Sequence, residues 1–274
     1  QPQQPQQPQQ PQQPQQPQQP QQTMIAIATH NRPGYVQLAL KSLLESDHDA
    51  DVWIYDDVSD KYNKQMLQDW YPKAHVVTNK LRHRPDANAR SIMENFVKSK
   101  YKWLIYMDSD MVVAKDWWSV YLNLRKVEVV LSLYRSSSPN HYSENCKDEY
   151  CIQNSLGNTG SIWSEKIATK MLSEMLKRTD NFDWGWSTWC QQNNVQMLTV
   201  RKSVMAHVGM HGTWGVQTSS EKAMGFDINK ISNTLQDKMK EYLKGAAPES
   251  WVTPKPLITK VTDWSDQSCS LMQW

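Results

Sequence analysis

Two aspartates at the end of an apolar run are the residues of this sequence best suited to chemistry. The stretch "KWLIYMDSDMVV" (residues 102–113) stays apolar up to Met107 and then places Asp108 and Asp110 two positions apart. Such a run is typical of a strand buried on both faces of a parallel sheet, whose carboxyl end borders the ligand crevice. Carboxylate oxygens suit Mg²⁺ or Mn²⁺, so the spacing favours a metal-diphosphate site. The alternative is a solvated turn, where aspartate is common.

A second acid pair follows an earlier apolar run. In "ADVWIYDDVSD" (residues 50–60) the predicted strand ends at Asp56 and Asp57. Because parallel strands end at a common edge, both acid pairs are expected at the same edge of one sheet. Carboxylates there can accept hydrogen bonds from ribose hydroxyls or a base N–H. The alternative is that this pair only caps a turn.

Strands that alternate with helical patterns surround these acids. "TMIAIATHN" predicts a first strand, "RPGYVQLALKSLLES" a helix, "HVVTN" a third strand, and "NARSIMENFVKSK" the helix before the opening strand. Alternation of this kind predicts an α/β fold with a mostly parallel sheet and right-handed crossovers. Residues 135–155 show no period and are predicted to form a long loop, and a helix is expected near 227–244.

The ends of the chain differ from the rest in composition. Residues 1–22 are Gln1 followed by seven Pro-Gln-Gln repeats, a pattern that fits polyproline II and has no apolar side chain for a core. We expect a disordered or semi-rigid arm, either inert or a ligand for a proline-reading module. The remaining chain suits a single domain over 23–245, with an unassigned tail over 246–274.

Charge and cysteine content exclude some classes of function. Lys and Arg number 30 against 28 acids, which argues against a nucleic-acid partner. No apolar stretch is long enough to span a bilayer, and we expect no signal peptide before the domain. Four cysteines without a CxxC motif favour reduced thiols and a cytoplasmic location, although Cys146 and Cys151 could close a small loop.

The order of these motifs resembles the nucleotide-binding half of GT-A glycosyltransferases. "IAIATHNRPGYVQLALKSLLES", "VWIYDDVSD", "NARSIMENF" and "WLIYMDSDM" carry the resemblance over about residues 23–118, and residues 119–245 would form the acceptor half. The whole chain also resembles the small glycosyltransferases of chloroviruses, which implies capsid glycoproteins as acceptors and the host cytoplasm as location. The resemblance implies a GT-A fold and transfer of a hexosyl or deoxyhexosyl group from a nucleotide sugar, with a UDP-sugar expected.

The resemblance also implies roles for the residues of the donor site. Asp108 and Asp110 would bind Mn²⁺ or Mg²⁺ against the donor diphosphate, where the metal neutralises charge on the leaving nucleoside diphosphate. Asp57 would contact the ribose or uracil. The other candidates are Thr29 and Arg32 near the base, Arg90 beside the phosphates, and Asn158 in "LGNTGS" at the donor or acceptor sugar. For Arg90 a place on a helix surface is the alternative.

The segment "FDWGWSTW" lies where this family keeps the acid that acts on the acceptor, which makes Asp183 the candidate catalytic residue. It would take the proton of the acceptor hydroxyl in an inverting transfer, or stabilise positive charge on the sugar in a retaining one. The alternative is a helix N-cap. The neighbouring Trp184, Trp186 and Trp189 favour a sugar-lined site, since aromatic faces suit a pyranose.

A late histidine is expected from "AHVGMHGTWG". Gly209 and Gly212 make a helix unfavourable, so a zinc site from His207 and His211 at helical spacing is not expected. A loop histidine that reaches the metal or pyrophosphate fits better, and His207 is favoured over His211. A core or surface position is the alternative for each of them.

Two other functions fit parts of the sequence. "DSDMV" also matches the Asp-x-Asp-x-Val strand of haloacid-dehalogenase-type phosphatases, in which Asp108 would attack phosphorus. That motif usually opens its domain, whereas two strand–helix units precede it here, and the Asp56–Asp57 pair would have no task. A non-catalytic sugar-binding module is the other reading, and it would need no nucleotide pocket.

Overall fold

An eight-stranded sheet forms the centre of this computed structural model. The structure describes residues 22–137, 145–175, 182–212, 215–216 and 223–246, with backbone alone at 182–183, 211–212 and 215–216. The predictions for the Pro-Gln-Gln arm and for residues 247–274 of the tail lie outside these residues. The domain boundaries at 23 and 245 therefore stay predictions.

The amino-terminal half alternates strands and helices, as predicted. Its elements are β1 (Thr23–Thr29), α1 (Pro33–Leu44), β2 (Asp51–Asp56), α2 (Lys64–Trp70), β3 (His75–Thr78), α3 (Arg84–Val97), β4 (Trp103–Asp108), β5 (Met111–Val113) and α4 (Trp117–Leu124). Pro33 opens α1 and Pro85 lies in the first turn of α3, where the missing N–H of proline costs nothing. The Asn63 side chain caps α2 by accepting a hydrogen bond from Met66 N at 3.0 Å.

The carboxyl-terminal half is more mixed. Its elements are β6 (Val129–Ser132), β7 (Tyr150–Gln153), β8 (Ser161–Ser164), α5 (Glu165–Met175), α6 (Phe182–Gln192), β9 (Gln196–Val200), β10 (Met205–His207), β11 (His211–Gly212), β12 (Gly215–Val216) and α7 (Asn233–Leu243). A 3₁₀ turn, Ile228–Lys230, precedes α7, so the predicted final helix is confirmed with a later start. His207 and His211 lie in strands, which confirms that they do not share a helix.

The strand order of the sheet is β3-β2-β1-β4-β8-β6-β9-β7. The pairs β3–β2, β2–β1, β1–β4 and β6–β9 are parallel, whereas β8 and β7 run antiparallel to their neighbours. Helices cover both faces. The predicted fold class, a single-domain α/β fold with a mostly parallel central sheet, is confirmed.

Alternation along β1 divides the core between the two faces of the sheet. Ile25 and Ile27 pack on one side with apolar residues of α1, α2 and α4. Met24 and Ala26 pack on the other with α3, α5 and α6. Because both faces are covered, β1 and β4 are apolar throughout and turn polar only where they end.

The predicted long loop at 135–155 is wrong in its second part. β7 pairs with β9 at the sheet edge, and a disulfide joins Cys146 to Cys151 just before and within this strand. This pairing contradicts the expectation of reduced thiols, whereas Cys190 is buried and free. A four-residue edge strand gives too little periodicity to be recognised in the sequence. Every helix in the described part of the chain is too short or too polar to cross a membrane.

Candidate active site

The carboxyl ends of β1, β2 and β4 bring the predicted acid pairs to one edge of the sheet. β1 lies between the other two strands, with Thr29 opposite Asp56 and Ala28 opposite Asp108. Asp57 directly follows β2, and Asp110 lies two residues after the end of β4. The structure therefore places both acid pairs along a single edge, as the sequence predicted.

Asp110 lies at the centre of a buried network of charged groups. Its Oδ2 accepts a hydrogen bond from Arg32 Nη1 at 2.6 Å and lies 3.4 Å from His207 Nε2. Arg32 also donates from Nη2 to the hydroxyl of Ser109 at 3.0 Å. Three predicted residues from distant parts of the chain thus meet at one carboxylate. The side chain of the other candidate, His211, lies outside the described residues.

Burial and opposite charge act against each other in this network. Burial favours protonation of Asp110, but the charges of Arg32 and His207 hold its pKa well below the usual range. Burial would lower the pKa of His207, yet the Asp110 carboxylate, with help from Asp108, raises it above its ordinary value. Asp110 is therefore ionised at neutral pH, and His207 is more easily protonated than a free imidazole.

A short antiparallel pair holds the histidine beside the acid. β5 begins one residue after Asp110, and His207 at the end of β10 is opposite Met111 in the register. The amide of Val208 then donates to the carbonyl of Asp110 at 2.9 Å. A Cβ at Gly209 would lie 2.1 Å from Oδ2 of Asp110, so only glycine fits this close approach of the backbone.

One oxygen of Asp110 remains available for a further ligand. Among the described residues, its Oδ1 is buried and has no hydrogen-bond partner. A buried carboxylate oxygen without a partner is costly, and a divalent cation would offset that cost. The carboxylates of Asp108 and Asp110 suit Mn²⁺ or Mg²⁺, with His207 as a third donor. Among the described residues, however, no three His, Cys, Asp or Glu side chains are placed closely enough to hold a metal ion, and Arg32 occupies Oδ2 of Asp110.

The turn that precedes β8 lies beside the end of β4. The amide of Asp108 donates to the hydroxyl of Thr159 at 3.1 Å, and the amide of Gly160 donates to the carbonyl of Tyr106 at 2.8 Å. Asn158 lies in this turn, and its carbonyl accepts from the amide of Ser161 at 3.1 Å. The predicted sugar contact is therefore adjacent to Asp108, although its ligand role stays a prediction.

The carboxylate of Asp56 holds the loop after β2. It accepts from both the hydroxyl and the amide of Ser59, at 2.5 and 3.2 Å. Burial raises the pKa of Asp56 to about 6 despite these hydrogen bonds. This geometry matches the turn cap that the sequence left open as the alternative. A contact between Asp56 and a donor nucleotide stays a prediction.

Asp57 holds the next loop along the edge. Its Oδ1 accepts from Asn79 Nδ2 at 2.9 Å and from the amide of His83 at 2.7 Å. Its Oδ2 accepts from the amide of Arg84 at 2.8 Å. The buried carboxylate thus fixes the chain between β3 and α3. The predicted contact with a ribose or uracil is untested by this geometry.

Thr29 and Arg90 each contact another side chain of the protein. The Thr29 hydroxyl is buried and shares a short hydrogen bond with Tyr62, whose pKa burial raises to about 12. Arg90 donates from Nε to Glu94 at 2.9 Å, an i,i+4 pair along α3. This is the helix-surface arrangement that the sequence left open for Arg90.

The acceptor-side prediction is corrected in part. Asp183 falls inside the first turn of α6 rather than before the helix, and its side chain lies outside the described residues. Trp186 and Trp189 are core residues and line no sugar site: Trp186 packs edge-on against Trp163, and Trp189 donates to Glu174 at 2.6 Å. Trp184 alone is 47% exposed. A 3.6-residue period buries two of these three indoles against the sheet.

A family model for "Glycosyl transferase family 2" matches residues 24–185, which is more than half of the chain. The match contains β1 through the first turn of α6, with both acid pairs and Arg32. The chain belongs to glycosyl transferase family 2. His207 and Gly209 lie beyond the matched residues, so their place beside Asp110 is known from the structure and not from the family match.

Three solved structures are similar to this family 2 protein. A structure of S. aureus TarS 1–349 in complex with UDP has a TM-score of 0.50 at 13% identity, covering 67% of this chain and 59% of that one. S. aureus TarS gives 0.49 at 14% identity over 67% and 36% of the two chains. Mannosyltransferase PcManGT from Pyrobaculum calidifontis, in complex with GDP-Man and Mn²⁺, gives 0.48 at 14% over 65% and 54%. The chain thus spans 36% to 59% of these proteins. No curated protein matched it.

Sequence reasoning missed several residues of the family 2 site. Tyr35 accepts from the amide of Met210 at 3.1 Å and so supports the loop after His207. Ser109, Tyr62, Thr159 and Gly209 contact the predicted residues directly. Ser109, Thr159 and Gly209 carried a signal, because each lies within two residues of a predicted site residue. Tyr62 and Tyr35 carried none, because their contacts with Thr29 and Met210 join residues 33 and 175 positions apart.

Proposed function

We propose that this family 2 protein is a metal-dependent glycosyltransferase that moves a hexosyl or deoxyhexosyl group from a UDP-sugar to a glycan or glycoprotein. The observation that carries the proposal is the Asp110 network at the carboxyl edge of the sheet. There a buried carboxylate oxygen has no partner among the described residues, while Asp108 and His207 lie beside it. This donor set suits a divalent cation and a diphosphate.

In this proposal Asp108, Asp110 and His207 would hold Mn²⁺ or Mg²⁺. When bound, the metal supplies positive charge against the leaving nucleoside diphosphate. Arg32 already lies at this point, and its guanidinium can form paired hydrogen bonds to phosphate oxygens as it does to Asp110 and Ser109. Buried donors fixed before the reaction stabilise developing charge more effectively than water does.

The remaining donor contacts are assigned by their place along the same edge. Asp56, Asp57 and Thr29 would surround the nucleoside, Arg32 would lie between the nucleoside and the diphosphate, and Asn158 would contact the sugar. The shared fold with S. aureus TarS 1–349, which was solved in complex with UDP, supports uracil as the base to test first. Arg90 would approach the phosphates only after leaving Glu94.

Asp183 is proposed as the acid that acts on the acceptor, either as a base or as a stabilising carboxylate. Its place in the first turn of α6, at the end of the family match, supports this assignment. The resemblance to chlorovirus transferases makes a capsid glycoprotein, modified in the host cytoplasm, the acceptor to test first. A phosphatase reading is disfavoured, since β4 is not the first strand and the acids after β2 lie at the same edge.

Calorimetry of the full chain with UDP tests the proposal. We expect binding with Mn²⁺ present and a large loss of affinity when EDTA removes the metal. UDP binding that is indifferent to EDTA would contradict the metal-dependent donor site. Release of phosphate from a generic phosphomonoester, without any nucleotide sugar, would favour the phosphatase, whereas glycan binding without UDP binding would favour the sugar-binding module.

A further inference from the structure

A basic loop with an apolar tip stands at the same edge of the sheet as the acid pairs. Residues 79–87, which run from the end of β3 through the first turn of α3, contain three cations, Lys80, Arg82 and Arg84, against the single acid Asp86. All side chains from 80 to 87 are exposed. Among the described residues, none of the three cations forms an ion pair. The loop therefore presents uncompensated positive charge to its surroundings.

Leu81 lies between two of these cations and is 76% exposed, more than any other large apolar side chain in the described ranges. Single exposed leucines are common on protein surfaces and need no explanation by themselves. This one differs because its neighbours on both sides are cations, and because the loop around it has a fixed base. Interfacial membrane contacts combine cations, which attract anionic lipids, with apolar side chains that enter the headgroup region, and Leu81 with its neighbours offers both.

The base of the loop is held by the protein interior. Asp57, which is buried, accepts hydrogen bonds from the amides of His83 and Arg84. Arg84 has a φ of 66°, a left-handed conformation that is uncommon for a residue with a side chain. Backbone strain of this kind persists where surrounding contacts impose it, and it concentrates at functional positions. The exposed tip is therefore presented by a defined backbone.

A second apolar tip lies on the neighbouring loop. Val58 follows β2, is 37% exposed and has a φ of 59°, an outlier for a β-branched residue. β2 and β3 pair in parallel, and the amide of Asn79 donates to the carbonyl of Asp56 at 2.9 Å, so the two loops leave the sheet side by side. Together, residues 58–61 and 80–84 are called the basic rim below.

We propose that the basic rim docks the protein on an anionic lipid surface. Lys80, Arg82 and Arg84 would contact lipid phosphates, while Leu81 and Val58 would enter the headgroup layer. A soluble polyanion offers charge but nothing apolar, so it would leave Leu81 in water, whereas a bilayer satisfies both features. Docking would bring the edge that carries Asp56 and Asp108 to the membrane. This inference does not depend on the transferase reaction, because vesicle binding needs neither donor nor metal.

Sedimentation of the full chain with vesicles tests the inference, without nucleotide or divalent metal. Vesicles of phosphatidylcholine with phosphatidylserine are compared with vesicles of phosphatidylcholine alone. We expect binding only to the anionic vesicles, weakening as salt rises. Lys80→Ala and Arg82→Ala should each lower the affinity for anionic vesicles about five-fold. Leu81→Ser should lower it about ten-fold.

The matched controls are Leu122→Ser on α4 and Lys166→Ala on α5, which alter exposed residues away from the rim and should bind as the unaltered chain does. Equal binding to both kinds of vesicle would overturn the inference. So would a Leu81→Ser variant that binds anionic vesicles normally while the cation variants fail, because that pattern indicates a soluble polyanion. Absence of vesicle binding by the unaltered chain at low salt would overturn it directly.

Discussion

A Cβ on Gly209 would lie 2.1 Å from Oδ2 of Asp110 and 3.0 Å from Nε2 of His207. The backbone after β10 therefore lies directly against the carboxylate that organises the charged network. The contact is possible only because residue 209 has no side chain. Gly209 lies between β10, which carries His207, and the loop that follows. The amide of the next residue, Met210, donates to the hydroxyl of Tyr35.

Replacement of Gly209 tests how closely the site depends on this contact. In Gly209→Ala the methyl group must displace Asp110 or the strand that carries His207, so we expect metal-dependent UDP binding to fall sharply. Overpacking of this kind costs about 1–3 kcal/mol of unfolding free energy. Gly157→Ala is the matched control, because nothing lies within 4 Å of the added Cβ, and it should behave as the parent. Normal UDP binding by the Gly209 variant would show that the network tolerates displacement.

The two carboxylates after β4 should both be needed for the donor. In Asp108→Asn and Asp110→Asn, UDP affinity measured by calorimetry with Mn²⁺ should fall by at least roughly 10- to 100-fold. Losses of that size follow even when only a residue that hydrogen-bonds a metal ligand is removed. Asp110→Asn should also lower the melting temperature more than Asp108→Asn, since Arg32 and His207 lose their shared charge partner. Asp69→Asn, an exposed residue of α2, serves as the control. Parent-like affinity in both variants would refute the assignment.

Asp56 should make stability depend on pH in a direction unusual for an aspartate. Burial raises its folded pKa to about 6, above the value of about 3.9 in an unfolded chain. Its favourable contribution is present below the unfolded pKa and is lost as pH rises through the folded pKa. Asp56→Asn should therefore gain stability over the parent at neutral pH, on the order of 2 to 3 kcal/mol, and lose this advantage below about pH 4.

Chemical denaturation at a series of pH values, without nucleotide, measures this difference. Asp60→Asn changes an exposed acid of the same loop and should follow the parent at every pH. A gain for Asp56→Asn that does not shrink on acidification would mean that the carboxylate is not the source of the effect.

The sheet and its acidic edge were predictable because both follow from local patterns. The apolar runs of β1, β2 and β4 are long, and each stops at a polar residue where the strand leaves the core. Because β2 and β4 run parallel in one sheet, their carboxyl ends lie at the same edge. The family resemblance placed His207 near the metal but Arg32 near the base, and the meeting of both with Asp110 was not predicted. The approach of His207 depends on pairing between β5 and β10.

Other features depend on contacts that no local pattern reveals. β7 has only four residues, too few to show the alternation of a strand, so the segment was predicted as a loop. No local pattern decides whether Cys146 and Cys151 pair. Trp186 and Trp189 were expected near a sugar, but helix geometry turns them to the core. Asp57 accepts hydrogen bonds from the amides of His83 and Arg84, which lie 26 and 27 positions later in the chain, so no local pattern could reveal these contacts.

The Pro-Gln-Gln arm should be dispensable for the domain. Residues 1–22 lack any side chain able to build a core, so their deletion should leave the melting temperature and UDP binding nearly unchanged. A scan of thermal unfolding and the calorimetric titration check this on one sample. A clear loss of either property would mean that the repeat packs on the domain.

Asp183 is where a role in catalysis and a role in the helix compete most closely. If it acts on the acceptor, Asp183→Asn should keep donor binding and thermal stability yet lose most sugar transfer, because the amide lacks the basic carboxylate. If its charge only supports the first turn of α6, Asp183→Asn and Asp183→Ala should each cost about 0.3–1 kcal/mol of stability through the helix dipole and leave transfer nearly unchanged. Transfer rate at saturating donor and melting temperature should therefore be measured for both variants. Near-normal transfer by the Asn variant would eliminate Asp183 as the catalytic acid.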